Sequence, residues 1–199
     1  MTDLELLPGS PATATLEIGT PAPAFERLLG VDGRRYGTSD FVSASALVLI
    51  FSSNRCPTAK AYGKRLNALQ AAYRGCGVQV VALNSNDPHL YPDERYERMI
   101  ERAAEDGYTF PYLVDDGQDL ARAFGATCTF HVFVLDRARR LRYEGRFDDA
   151  RLEERVTRHD VADVLDDLLA DRPVRVTSTL PFGCSLDFTS AGTAVMLDA

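Results

Sequence analysis

An α/β domain with a central mixed β-sheet flanked by helices is the fold class this sequence predicts, and three observations carry the prediction. The run ALVLIF, Ala46 to Phe51, is continuously apolar, as a strand covered on both faces requires, and gives way at Thr58 to a helical pattern. The run VQVVAL, Val78 to Leu83, repeats that signature and is again followed by a helical stretch, which makes a parallel β-α-β unit. Two later strands joined by a turn, and then a closing helix, add an antiparallel part to the sheet.

In chain order, residues 1–18 (MTDLELLPGSPATATLEI) are rich in Pro, Thr, Ala and acidic side chains without periodicity, and a loose arm is expected there. The domain proper is expected over 19–172 and a C-terminal extension over 173–199. GVDGRRYG, from Gly30, reads as turn. The strand at Ala46 to Phe51 leads into a helix whose Tyr62, Leu66, Leu69 and Tyr73 recur at helical spacing, ended by Gly75 and Gly77. After the second strand and the loop NSNDPHLYP, a helix is expected from about Asp93 to Asp106. A strand at Tyr112 to Val114, a helix near Gln118 to Phe124, a strand at His131 to Leu135 and its hairpin partner at Leu141 to Tyr143 follow. The last helix, Val161 to Ala170, stops before Pro173.

A chain of 199 residues with 45% hydrophobic content suits one ordinary globular domain. Its formal charge of -7 disfavours nucleic acid and anionic membranes as partners. No apolar window approaches the roughly 18 residues of a membrane span, and no Lys or Arg precedes Arg27, so neither a span nor a signal peptide is expected and the chain reads as cytoplasmic. The cysteines, Cys56, Cys76, Cys128 and Cys184, lie far apart without CxxC spacing. In a reducing compartment that pattern favours free, catalytic or transiently paired thiols over structural staples. His89, His131 and His159 are dispersed without ligand spacing, so no metal site and no cofactor are expected. The pairs Asp115-Asp116 and Asp148-Asp149 fall in turns, where Asp makes local hydrogen bonds.

The stretch FSSNRCPTAK carries the chemistry. With Pro57 at the first helical position, its missing N–H costs nothing and Cys56 becomes the N-cap. The backbone N–H groups of Thr58 and Ala59 then point toward the sulfur, and the positive end of the helix dipole favours its anion, with Arg55 beside it. Such a setting lowers a cysteine pKa from about 8.5 into a range of roughly 3.5 to 7.5. A buried, inert cysteine is the bland alternative.

Phe51 followed five residues later by Cys56 resembles the thioredoxin superfamily, in which a redox cysteine starts the helix after the central strand. Its second redox position is here Ala59, so CxxC is reduced to CxxA and Cys56 lacks a local partner. The peroxiredoxin motif PxxxTxxC is matched by Ser53 at its second position but has Leu49 at its first. The resemblance extends furthest to the redoxin (AhpC/TSA) proteins with an NxCPxxxA motif, through GTPAPAF, NRCPTAKAYGKRLNAL, VQVVALNSND, YPDERYERM, FPYLVDDGQDLARAFGATCT, YEGRFDDA and FGCS. It implies a thioredoxin-like fold and a cysteine-dependent activity.

Three residues depart from that group: Phe130 stands where the cis-proline facing the redox cysteine is usual, His131 replaces an acidic residue and Arg55 replaces a His. A cis bond before a non-proline residue costs about 2.5 to 4 kcal/mol, so a trans Phe130 and a reshaped loop are expected. Cys128, two residues before that position, and Cys184 in FGCS are the candidates for resolving an oxidised Cys56. The expected function is a thiol oxidoreductase with Cys56 as its single nucleophile and a thiol partner as reductant, acting on a protein or low-molecular-weight disulfide or on a small peroxide. The alternative is a non-catalytic binding module in which Phe130 covers Cys56; in that case Phe130→Pro would raise the reactivity of the sulfur.

Overall fold

The computed structural model describes residues 16–189, so the expected arm over 1–18 and the end of the expected extension lie outside the described residues except for 16–18 and 173–189. Seven strands form one sheet: β1 (Leu28–Gly30), β2 (Arg35–Tyr36), β3 (Ala46–Ser52), β4 (Val78–Asn84), β5 (Tyr112–Val114), β6 (His131–Leu135) and β7 (Leu141–Gly145). The helices are α1 (Pro57–Tyr73), α2 (Tyr96–Glu105), α3 (Asp119–Phe124) and α4 (Asp160–Leu169). Strand order is β2-β1-β5-β4-β3-β6-β7, with β3, β4 and β5 parallel and the other pairings antiparallel. The α/β mixed sheet read from the sequence is therefore present.

Every residue of β3 is buried, because both faces of the strand are covered. Val48 and Ile50 face a core shared with Tyr62, Leu66 and Leu69 of α1 and Val161, Val164 and Leu165 of α4. Leu47, Leu49 and Phe51 face a second core with Leu120, Ala121 and Phe124 of α3 and with Phe25, Tyr36 and Phe41. Alternation along the strand is what divides the two cores. Each fully buried Leu, Ile or Phe contributes about 1.5–3 kcal/mol relative to exposure.

Two local differences from the sequence reading have local causes. GVDGRRYG holds the short hairpin β1–β2, whose paired strands of three and two residues are too brief for a periodic signal. The helix expected from Asp93 starts instead at Tyr96, because Pro92–Glu94 makes a separate 3-10 turn that swings Glu94 into the interior. α1 ends at Tyr73, and Gly77 closes the following turn at φ 79°, where a side chain would be strained and its Cβ would meet Ser45. Residues after 172 return to the domain: Thr177 and Thr179 exchange backbone hydrogen bonds with Glu144, and the chain then runs on toward the C-terminal end of β3.

Candidate active site

Cys56 is the N-cap of α1, with Pro57 at the first helical position as the sequence requires. The turn that delivers it from β3 is tied to one buried carboxylate. Glu94 accepts the Ser53 hydroxyl, the backbone N–H of Asn54 at 2.8 Å, the N–H of Arg55 at 3.3 Å and Asn84 Nδ2 at 3.0 Å. The Ser53 hydroxyl oxygen in turn accepts the Cys56 N–H at 3.1 Å. Tyr112 donates to Asn54 Oδ1 at 3.0 Å, so the whole turn is fixed by buried hydrogen bonds.

Across the sulfur lie two other segments. Thr129, just before β6, donates its hydroxyl to Cys56 Sγ at 2.9 Å. The same oxygen accepts the Cys184 N–H at 2.9 Å, while the Thr129 N–H donates to the Cys184 carbonyl at 2.7 Å. This pairing, extended by a Cys128–Ser185 bridge, brings Cys184 Sγ to 2.8 Å from Cys56 Sγ. Gly183 is what permits the approach, since a Cβ there would lie 1.8 Å from the Thr129 carbonyl oxygen.

Phe130 is trans, as expected, and adopts φ 66°. Its N–H donates to the Phe51 carbonyl at 2.5 Å, a bond that proline could not make. Its ring lies 4.3 Å from that of Tyr62, tilted by 32°, within the α1-side core. Tyr62 is anchored by donating to buried Asp148 at 2.6 Å, and Asp148 also pairs with Arg65, so this aspartate does more than shape a turn.

Cys56 is 1% exposed and belongs to the α1-side core, yet polar donors reach its sulfur. Burial pushes its thiol up, but donors from the Cys184 thiol, the Thr129 hydroxyl and the N–H groups of Ala59 and Cys184 outweigh burial and hold it below the ordinary cysteine value. The Ala59 N–H favours the anion without the geometry of a full capping hydrogen bond. Cys184 is pushed up to about 11 by burial, by its bond to Cys56 and by repulsion from that thiolate. Of the two sulfurs, Cys56 is the one favoured as the anion and Cys184 the one favoured as the thiol.

The other sequence candidates are distributed around this pair. Arg55 is engaged by two other side chains, its guanidinium 3.5 Å over the Tyr91 ring and 3.8 Å from Asp187, and its charge still reaches Cys184, whose thiol it lowers. Thr58 and Ala59 are buried in the first turn of α1. Cys128 is buried, with its thiol raised by burial, and Cys76 is exposed after α1. His131 sits on the opposite face of β6, its ring 4.4 Å from that of Phe133 and tilted to it, and accepts the Thr127 N–H through Nδ1. Its Nε2 therefore donates to Glu144 at 2.8 Å and holds that carboxyl low. Arg146 is bound to Asp160 at 2.7 Å. Glu94 and the Thr129 hydroxyl were missed in the sequence; Glu94 lies inside the matched segment YPDERYERM, where its acid reads as solvated helix. Among the described residues, no group of three or more His, Cys, Asp or Glu is placed to hold a metal ion.

This arrangement defines a thioredoxin-like domain with a hydrogen-bonded cysteine at the start of the helix after its central strand. The same fold occurs in a thioredoxin-like protein from Aeropyrum pernix, 19% identical with a TM-score of 0.52 over 63% of this chain and 83% of that one. A family model described as Redoxin matches residues 17–165, and the chain belongs to the Redoxin family. A hypothetical protein from Sinorhizobium meliloti 1021 is 38% identical, with a TM-score of 0.83 over 90% of this chain and 98% of its own. An uncharacterized conserved protein from Geobacillus kaustophilus is 36% identical, with a TM-score of 0.84 over 89% and 95%. The thiol-disulfide oxidoreductase ResA of Geobacillus thermodenitrificans (strain NG80-2) is 26% identical over 120 residues, 60% of this chain and 64% of that protein. The chain thus spans less than two thirds of that curated relative. Among the described residues no helix is long and apolar enough to cross a membrane.

Proposed function

We propose that the chain is a thiol-disulfide oxidoreductase in which Cys56 is the nucleophile and Cys184 the resolving thiol. The observation that carries this reading is the asymmetry of one pair of sulfurs 2.8 Å apart, one favoured as the anion and the other as the thiol. The Cys56 thiolate attacks one sulfur of a substrate disulfide R–S–S–R′; a Cys56–S–R bond forms and the electron pair of the broken bond leaves with R′S⁻. That step removes the charge at Cys56. Burial still raises Cys184, but its bond to the anion and the repulsion from it disappear, so its proton leaves more readily. The Cys184 thiolate then attacks Cys56 Sγ, forms the Cys56–Cys184 disulfide and expels RS⁻. In sum the substrate gains two electrons and two protons, and a dithiol reductant returns both to the protein by the reverse exchange.

Thr129 supports the first step by donating to the thiolate, and Glu94 by fixing the turn that aims it. A disulfide is favoured over a peroxide as oxidant because the guanidinium that would bind a leaving oxygen is already engaged, Arg55 by Tyr91 and Asp187 and Arg146 by Asp160. On this reading the protein acts in the cytoplasm on protein or low-molecular-weight disulfides, with a thiol partner as reductant.

Iodoacetamide labelling from pH 4 to 9, read at Cys56 by peptide mass spectrometry, tests the nucleophile. The expected midpoint lies below the ordinary value of about 8.5. A midpoint at or above it, or no labelling, would favour the sealed binding module. Oxidation with a small disulfide should then yield a Cys56–Cys184 bond; a Cys56–Cys128 bond would overturn the resolving assignment.

A further inference from the structure

A nucleophile must meet its substrate, yet Cys56 is 1% exposed. The groups around its sulfur differ in how firmly they are held. The Ser53–Cys56 turn is fixed by Glu94. Thr129 is fixed by β6 and by the Phe130 N–H on β3. The third neighbour, residues 182–189, belongs to no helix or strand of the sheet. Within it Leu186 is buried and Phe182, Cys184 and Phe188 pack partly buried against the two cores, so its hold is part apolar and part polar, without the ladder or helix hydrogen bonds that fix the other two segments.

Its polar attachments are mostly directed at its backbone. Besides the Thr129 pairing, Gln118 Nε2 donates to the Asp187 carbonyl at 3.0 Å and to the Ser85 carbonyl at 2.8 Å. Gln118 Oε1 accepts the Thr189 N–H at 2.8 Å and its hydroxyl at 3.0 Å. Gln118 is 3% exposed and holds φ 58°, a conformation that costs a non-glycine residue about 1–3 kcal/mol and persists where the surroundings impose it. On the surface, the Tyr91 hydroxyl donates to Asp187, which also faces Arg55.

We propose that residues 182–189 are a two-position strap: lifted, it admits substrate to Cys56; docked, it presents Cys184 for resolution, with Gln118 and Gly183 as the positioning residues that set the balance. The proposal rests on the roles assigned above to Cys56 and Cys184. Gln118 touches neither sulfur and acts through the strap backbone, whereas Gly183 acts by leaving room for the Thr129 carbonyl.

Weakening the docked position therefore has opposite effects on the two halves of the cycle. Two measurements read them: iodoacetamide labelling of Cys56 at pH 7, and closure of the Cys56–Cys184 bond after one equivalent of diamide, both mapped by mass spectrometry. Gly183→Ala should label about tenfold faster and close about tenfold more slowly, and Gln118→Ala should move both in the same directions by about threefold. Should Gly183→Ala fail to fold by circular dichroism, Gln118→Ala decides alone. Wild-type rates in both measurements, or faster labelling with undiminished closure, would overturn the strap while leaving the nucleophile assignment standing. Failure of Cys56 to label below about pH 8.5 in every variant would instead remove the nucleophile, and the strap with it.

Discussion

Two regions deliver a cysteine to one point, the turn Ser53–Cys56 and the strap 182–189, and they are held in opposite ways. The turn is bound from inside: one buried carboxylate accepts four donors, and a proline starts the helix directly behind the sulfur. The strap is bound from outside, through its own backbone, through Leu186 with the partly buried Phe182 and Phe188, and through an ion pair whose side chains are 42% and 46% exposed. Such an exposed pair contributes at most about 1 kcal/mol. A nucleophile gains from donors already in place around its anion, whereas a resolving thiol has to arrive and leave. The difference in anchoring matches the difference in task.

The comparison is broken most directly at the sulfurs. Cys184→Ser should lower turnover on a disulfide substrate by about a thousandfold and leave the substrate bound to Cys56 as a mixed disulfide visible by mass spectrometry. Undiminished turnover would mean that the strap has no part in resolution. Phe130→Pro comes next. Proline cannot adopt φ 66° or donate to Phe51, so a loss of about 3 kcal/mol or more is expected in urea unfolding, in place of the gain in Cys56 reactivity expected if the ring covered the sulfur. A wild-type urea midpoint together with faster labelling would restore a covering role for the ring.

Glu94→Gln should cost about 2–3 kcal/mol in the same measurement, because an amide nitrogen then faces N–H donors that the carboxylate satisfied. Little or no cost would mean that the turn is no firmer than the strap. The smallest effect sharpens the chemistry: Thr129→Val removes a donor to the thiolate, the thiol keeps its proton to higher pH, and the labelling midpoint of Cys56 should rise. A midpoint that stays put or falls would take Thr129 out of the site.

By itself the sequence determined what rests on neighbours a few residues apart. Apolar runs and helical spacing mark β3, α1, β4 and the later elements, and Cys-Pro at a helix start marks the N-cap. The hairpin β1–β2 stayed hidden because strands of three and two residues carry no period. Glu94 looked like one more acid on a charged helix until the 3-10 turn carried it inward. The sequence offered both Cys128 and Cys184 as resolving thiols, with nothing local to separate them. Only the tertiary path of the strap put Cys184, 128 residues away along the chain, in contact with Cys56. Local periodicity records which face of an element is apolar, but a hydrogen bond between distant segments depends on where the packed chain brings them, and no nearby residue encodes that position.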